Sequence, residues 1–473
     1  MKKHSVLLKE ELCEGCTNCV KNCPTRAIRV HHGKATIKED LCIDCAECIR
    51  TCAYHAKYSR ADRLVDIEEF KYPVVLIPPS FYGQFDGIEP VKVKKSLYRL
   101  GFKDVRDVAQ AAEALTRQTL LYLDNNTGMY ISSSCPVVVR MIKIQYPELI
   151  GHLLPFKSPV EMMAEKARNE LEESGISPED IGIFFITPCP AKYTTIFNPM
   201  GIDKSNLDRA LSVDVIYQAL LKILDKKDAV NGTGTSNVKT NNIEIGDIEP
   251  GDLEKGDIEP GDIESSNAQT DNNEGKVVPY LGITWGQNAT LSVSGIHNVK
   301  ALLDELSRNN VKGIKYFELV GCSQGCVGGI FNVINPFQAK YNLRKLTEKH
   351  QNMIEQDYSK YNYQLSRDLK AIQIGSLDTN MERAMEKLIL LEKEIDILPG
   401  LDCAACGAPD CKTLAEDIIN GKAKRTDCIF VLRQQVGDLA DRMSELAHAL
   451  PPVMKEGKIS GQKGKRGMKD QSS

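Results

Sequence analysis

The run IGIFFITPC, residues 181–189, is almost wholly apolar until it stops at a proline and a cysteine. A short continuous apolar run of this kind predicts a strand buried on both faces, as in a parallel sheet covered by helices. Two further runs end in the same way, GMYISSSC at 128–135 and IKYFELVGC at 314–322. The carboxyl ends of parallel strands converge on one crevice, where ligands bind. Cys135, Cys189 and Cys322 are therefore expected to meet, with Cys326 completing a set of four thiolates. Taken one at a time, each would read as an ordinary buried cysteine of a core.

The remaining cysteines make two further sets. Cys13, Cys16, Cys19 and Cys23, followed by Pro24, and then Cys42, Cys45, Cys48 and Cys52 repeat the spacing C-x2-C-x2-C-x3-C about thirty residues apart. That is the two-cluster ferredoxin pattern, in which the fourth cysteine of each run ligates the other cluster. Cys13, Cys16, Cys19 and Cys52 are expected to hold one 4Fe–4S cube, and Cys42, Cys45, Cys48 and Cys23 the other. Zinc sites favour paired hooks over such triplets. Ala53 stands where a second proline is expected. The last set is Cys403, Cys406, Cys411 and Cys428, in and after LDCAACGAPDCKTLAEDI. Four thiolates suit one more cube or a structural zinc ion; the segment resembles the small Fe–S domain in the B subunit of membrane-bound electron-transport complexes, which favours the cube. The three sets use all sixteen cysteines.

With 473 residues the chain has room for about three domains. Its net charge of −4, from 60 basic and 64 acidic residues, gives no basic field for nucleic acid. No stretch approaches the roughly 18–20 apolar residues of a membrane span, and the N-terminus has no long apolar core of a signal peptide. A cytoplasmic location is expected, where thiols stay reduced and serve metals. The domains read as a ferredoxin head over 1–60, an α/β domain over 72–375, a small Fe–S domain with a helix over 381–450, and a basic tail over 451–473. Within the second, 226–276 is a polar, acidic insertion whose units IEIGD, IEPGD, LEKGD, IEPGD and IESSN (243–267) cannot bury a continuous face; disorder is expected there. The α/β pattern resumes at VVPYLGIT (277–284). Leu432, Val436, Leu439, Met443, Leu446 and Leu450 alternate four and three apart, as in a short coiled coil or a helix packed on its own domain. Gly437 and the small number of heptads favour the packed helix. No histidine pair has ligand spacing, and no glycine-rich strand-to-helix loop supports a nucleotide site.

Most of residues 1–375 resembles the FeFe-hydrogenase family. The family signatures TSCCPxW, MPCxxKxxE and ExMACxxGCxxGGGQP are met by SSSCPVV (132–138), TPCPAKYT (187–194) and ELVGCSQGCVGGIFN (318–332). GFKDV (101–105), YPEL (146–149), KSP (157–159) and the strand VVLIPPSF (74–81) agree as well. The resemblance implies an α/β hydrogenase-like catalytic domain with parallel sheets, joined to an α+β dicluster ferredoxin domain and a small helical Fe–S domain. It implies that Cys135, Cys189, Cys322 and Cys326 hold a cube, and that Cys326 also bridges to a diiron subsite with CO and cyanide ligands. Lys192 would donate to a diatomic ligand of that subsite, and Glu318 fits the third motif.

The departures fall on the chemistry. Ser134 replaces the relay cysteine, and a serine hydroxyl exchanges protons near neutral pH far less readily than a thiol. Thr195 replaces the glutamate that follows in the relay, Val138 the tryptophan and Val320 the methionine, and Ile330, Phe331 and Asn332 break GGGQP. With cube ligands kept and relay groups lost, the resemblance implies a hydrogen- or redox-sensing homologue with weak or no turnover. The alternatives are an Fe–S electron-transfer or cluster-assembly protein without the diiron subsite, and a working hydrogenase with a rerouted proton path. A ferredoxin-like redox partner is expected, with a signalling partner reached through the helix at 432–450.

Overall fold

The computed structural model describes residues 4–228, 290–349, 360–372 and 380–449. The repeats at 243–267, the run at 277–284, Leu450 and the tail at 451–473 lie outside these residues. The chain forms two compact units, Met1–Gly375 and Ser376–Ser473.

The first unit begins with two small antiparallel sheets. β1 (Val6–Leu8) pairs with β4 (Lys57–Ser59), and β2 (Ile28–His31) with β3 (Lys34–Ile37). Between them lie two single-turn helices, Asn18–Lys21 and Glu47–Arg50. A shift of 29 residues carries each cysteine of the first run onto one of the second. The backbone obeys the same shift: Gly15 and Asp44, Thr17 and Ala46, and Arg26 and His55 all have positive φ, between 52° and 64°. Such angles are uncommon outside glycine, and their repetition marks one tight thiolate-wrapping loop used twice. Amide donation repeats too, from Ala27 N to Cys23 Sγ at 3.2 Å and from Ala56 N to Cys52 Sγ at 3.3 Å.

The α/β part is built on two parallel sheets. In the larger, β5 (Tyr72–Ile77), β6 (Asp104–Asp107), β8 (Ile181–Thr187) and β9 (Arg209–Ser212) lie in the order β6-β5-β8-β9. β8 is buried along its whole length, as its unbroken apolar sequence requires. In the smaller, β11 (Tyr316–Val320) lies between β10 (Thr290–Ser294) and β7 (Tyr130–Ile131). The three cysteine-terminated runs are strands, but they do not share one sheet. β8 belongs to the larger sheet, and β7 and β11 to the smaller. Each sheet has its own apolar layer: Val74, Leu76, Ile183 and Phe185 of the larger face Met162, Met163 and Ala167, whereas Ile131, Phe317 and Leu319 of the smaller face Val137, Met141 and Leu303.

Prolines set the strand ends near the site. β5 ends before Pro78–Pro79 and β8 before Pro188, because proline cannot continue the hydrogen-bonded ladder. Pro136 and Pro190 each occupy the first position of a helix, Pro136–Gln145 and Pro190–Phe197, where a missing N–H is harmless. Cys135 and Cys189 are thereby the N-cap residues of these two helices.

The second unit consists of helices Met381–Ile397, Cys411–Ile419 and Ile429–His448. Asn380 and Asp410 cap the first two by accepting backbone N–H donors at 2.8 Å and 2.7 Å. Glu394 accepts two bonds from Arg425 Nε at 3.0 and 2.9 Å, fastening the loop before Cys428 to the first helix. The favoured packing of the 432–450 stripe on its own domain is not observed. Leu432, Val436, Leu439, Met443 and Leu446 are exposed, the last to 73%. The small core is filled by Leu391, Leu398, Leu414 and Ala415, and the last helix meets it through Val431 in its first turn.

Candidate metal centres

In the head, Cys13, Cys16, Cys19 and Cys52 line one small void, together with Lys57 and Tyr54. This is the crossed set expected from spacing. Burial pushes the Cys42 and Cys45 thiols well above the ordinary value, and Cys23 and Cys48 of the second crossed set, near enough to act on both, push in the same direction. The side chain of Lys57 tests whether a cluster fits. It is 3% exposed, and its Nζ has no hydrogen-bond partner among the described residues. A buried ammonium without an acceptor is strongly unfavourable. A thiolate-bound anionic cluster in the adjoining void would supply the missing negative partner.

In the α/β part, Cys135, Cys189, Cys322 and Cys326 line a cavity of about 290 Å³, with Ser134, Lys192 and Glu318 also in its wall. The ends of strands from both sheets, with the segments that follow them, thus bring these seven residues together. Burial pushes Cys189 up to about 12, with the Lys192 charge acting in the opposite direction. Burial also raises Cys322 well above its ordinary value, opposed by Arg50. Protonated thiols are poor ligands, so cluster binding here must displace protons, and soft thiolates in this number suit iron–sulfur chemistry. The residues fit that role: Gly321 N–H already donates to Cys135 Sγ at 3.5 Å, and Cys135 and Cys189 sit at the positive ends of their helices.

The loop bearing Cys322 and Cys326 is held close to Cys189. Phe331 N donates to Pro188 O at 3.1 Å, and Asn332 Nδ2 donates to Cys326 O at 2.8 Å. A Cβ on Gly329 would lie 2.2 Å from Pro188 O, so only glycine permits this approach. Thr195 does not reach the cavity wall. It lines the smaller neighbouring pocket, and its hydroxyl donates to Lys192 O at 2.6 Å. Val138 is fully buried in the core of the smaller sheet.

Two site-building residues were missed from sequence. Asp44, 1% exposed and lying between Cys42 and Cys45, accepts Arg140 Nη1 at 2.8 Å and Thr194 Oγ1 at 2.7 Å. Ser5 N adds a third bond at 3.0 Å. Arg140 lies on the helix capped by Cys135 and Thr194 on the helix capped by Cys189, so one carboxylate of the head fastens both cysteine-bearing helices. Arg50, between Cys48 and Cys52, donates to Gly328 O at 2.6 Å and reaches within 4.0 Å of Cys322 Sγ. Cys45 packs against the same apolar cluster as Cys135 and Cys189. The second head centre is therefore the one that adjoins the cavity.

In the second unit, burial raises the Cys406 thiol, and Cys428 and Cys403 act in the same direction. Cys411 packs with Cys406 and Cys428 against one apolar cluster. The final set is thus gathered at one end of the small helical core.

Comparison with known families bears on the same elements. Residues 71–249 match the iron only hydrogenase large subunit, C-terminal domain. This part of the chain is similar to the iron-only hydrogenase large subunit. The matched residues include Cys135, Cys189 and Lys192, whereas Cys322 and Cys326 lie beyond them. Residues 5–53 match a 4Fe–4S dicluster domain, and 398–430 a putative Fe–S cluster domain. An uncharacterized protein of Methanocaldococcus jannaschii is 31% identical over 75 residues, 16% of this chain and 34% of that protein. The chain thus spans about a third of the length of that curated relative. A variant of the FeFe-hydrogenase HydA1 from Chlamydomonas reinhardtii is 17% identical, over 66% of this chain and 98% of that one, with a TM-score of 0.41. Another HydA1 structure from the same organism, an apo form, gives 17% and 0.40 over the same shares. The molecule is an iron–sulfur, hydrogenase-like protein with a ferredoxin-type head. No described helix is long and apolar enough to cross a membrane.

Proposed function

We propose that this chain senses hydrogen or redox state at its hydrogenase-like cavity, with little turnover, and passes electrons through its head. The observation that carries the reading is the pairing of a complete cysteine set with an impaired proton route. Cys135, Cys189, Cys322 and Cys326 share one cavity, while Ser134 in its wall is a poor proton carrier and the Thr195 hydroxyl is committed to Lys192 O. A diiron subsite bridged through Cys326 would supply the hydrogen chemistry when bound. Lys192 would hold its ammonium toward that end of the cavity, where it stands 5.5 Å from the Phe185 ring centroid, and offer charge-assisted hydrogen bonds.

On this reading four cubes account for the sixteen cysteines, the head takes electrons from a ferredoxin-like protein in the cytoplasm, and the exposed stripe on Ile429–His448 serves a signalling partner. The test is protein produced anaerobically with the diiron maturation machinery. CO and cyanide stretching bands in its infrared spectrum are expected. Their absence, beside a control hydrogenase that matures, would leave an electron-transfer or cluster-assembly protein. In matured protein, Ser134→Cys with Thr195→Glu should raise hydrogen turnover by about 10²-fold, the low end of general acid–base contributions. Unchanged turnover in a sample with intact infrared bands would sink the relay argument, and wild-type turnover already at the rate of catalytic hydrogenases would sink the sensing reading.

A further inference from the structure

The 29-residue repeat of the head relates Ile28 to Lys57. Both follow the alanine whose amide donates to a cysteine sulfur, Ala27 to Cys23 and Ala56 to Cys52, and both are buried, at 2% and 3% exposure. One half thus places an aliphatic side chain at this position and the other an ammonium. Lys57 is held on β4 by pairing with Leu8, and it lines the void of Cys13, Cys16, Cys19 and Cys52. Its Nζ finds no partner among the described residues. β4 also packs against the single-turn helix Glu47–Arg50, which carries Cys48 of the second crossed set, so the strand that begins at Lys57 adjoins both sets.

We propose that the Lys57 ammonium is a positioning contact shared by the two head clusters, and that it raises the reduction potential of both. The inference rests on the reading of these eight cysteines as ligands of two 4Fe–4S cubes. Reduction adds one electron to a cube, and a fixed positive charge beside it favours the more negative state. Cluster potentials follow net charge, hydrogen bonds to sulfur and solvent exposure, and a buried ammonium changes the first two without admitting water. Because one cation serves both sites, the two potentials are tied together. A side chain that only filled space would affect stability and leave the potentials unchanged.

The experiment is a mediated potentiometric titration of the reconstituted full-length protein, followed by electron paramagnetic resonance, in wild type, Lys57→Met and Lys57→Arg. Lys57→Met, which imitates the aliphatic Ile28 half, should move the midpoints of both head clusters to more negative potential, while Lys57→Arg keeps them near wild type. Signals of the clusters at Cys135 and Cys403 serve as internal references and should not move. Should Lys57→Met retain less iron than wild type, Lys57→Gln, which can donate a hydrogen bond but carries no charge, is expected to give the same negative shift. Unchanged midpoints in a neutral variant with wild-type iron content overturn the inference, as does a shift confined to one cluster. A wild-type protein without the signals of two head cubes would instead overturn the cluster reading itself.

Discussion

Asp44→Ala should destabilise the protein by about 3–5 kcal/mol, the scale expected when one partner of a buried ion pair is removed. The loss arises because Arg140, itself 5% exposed, would keep its charge in an apolar setting with no carboxylate to meet it. Thr194 and the Ser5 amide would lose an acceptor as well. Denaturant unfolding of the cluster-loaded protein measures the effect. The double variant Asp44→Ala with Arg140→Met should be more stable than Asp44→Ala alone, since it leaves no uncompensated charge. A single variant within about 0.5 kcal/mol of wild type, the range of ordinary surface changes, would show that the clasp is not energetically significant.

On the proposed reading of Cys135, Cys189, Cys322 and Cys326 as cube ligands, Gly329→Ala should release the cube from the cavity. The added methyl would lie 2.2 Å from Pro188 O, a backbone atom that cannot swing aside, so the loop must move and carry Cys326 away from Cys189. Overpacking of this kind costs about 1–3 kcal/mol in general, and here the strain falls on two segments that must present thiolates to one object. Reconstituted protein is expected to lose about four irons, the content of one cube, while the head and second unit keep theirs. Iron analysis with paramagnetic resonance reads this directly. Full iron content in the variant would mean that the loop tolerates displacement and that the close approach is incidental.

Much of this architecture is legible in sequence because its determinants are local. Cysteine triplets two residues apart, apolar runs stopped by proline, and Pro136 and Pro190 at helix starts each carry their meaning within a dozen residues. The division into two sheets is less legible, since an apolar run announces a buried strand without naming its neighbours. Asp44 and Arg50 left no local trace at all. Their partners lie 96, 150 and 278 residues away, and an Asp or Arg inside a cysteine loop reads as solvated charge. Lys57 did have a signal, its place opposite Ile28 in the repeat, but that becomes visible only when the halves are superposed position by position. The exposed stripe on the last helix shows the limit of periodicity: spacing identifies an apolar face and says nothing of what covers it.

The clasp at Asp44 also bears on how the molecule is made. A ribosome finishes the head, with all eight of its cysteines, before Arg140 has been joined to the chain and well before Thr194 exists. Domains synthesised first generally fold as units during synthesis. The helices behind Cys135 and Cys189 thus leave the ribosome after the carboxylate that fastens them has been synthesised. The order of synthesis thus places the residues of the head's metal sites ahead of those that complete the cavity.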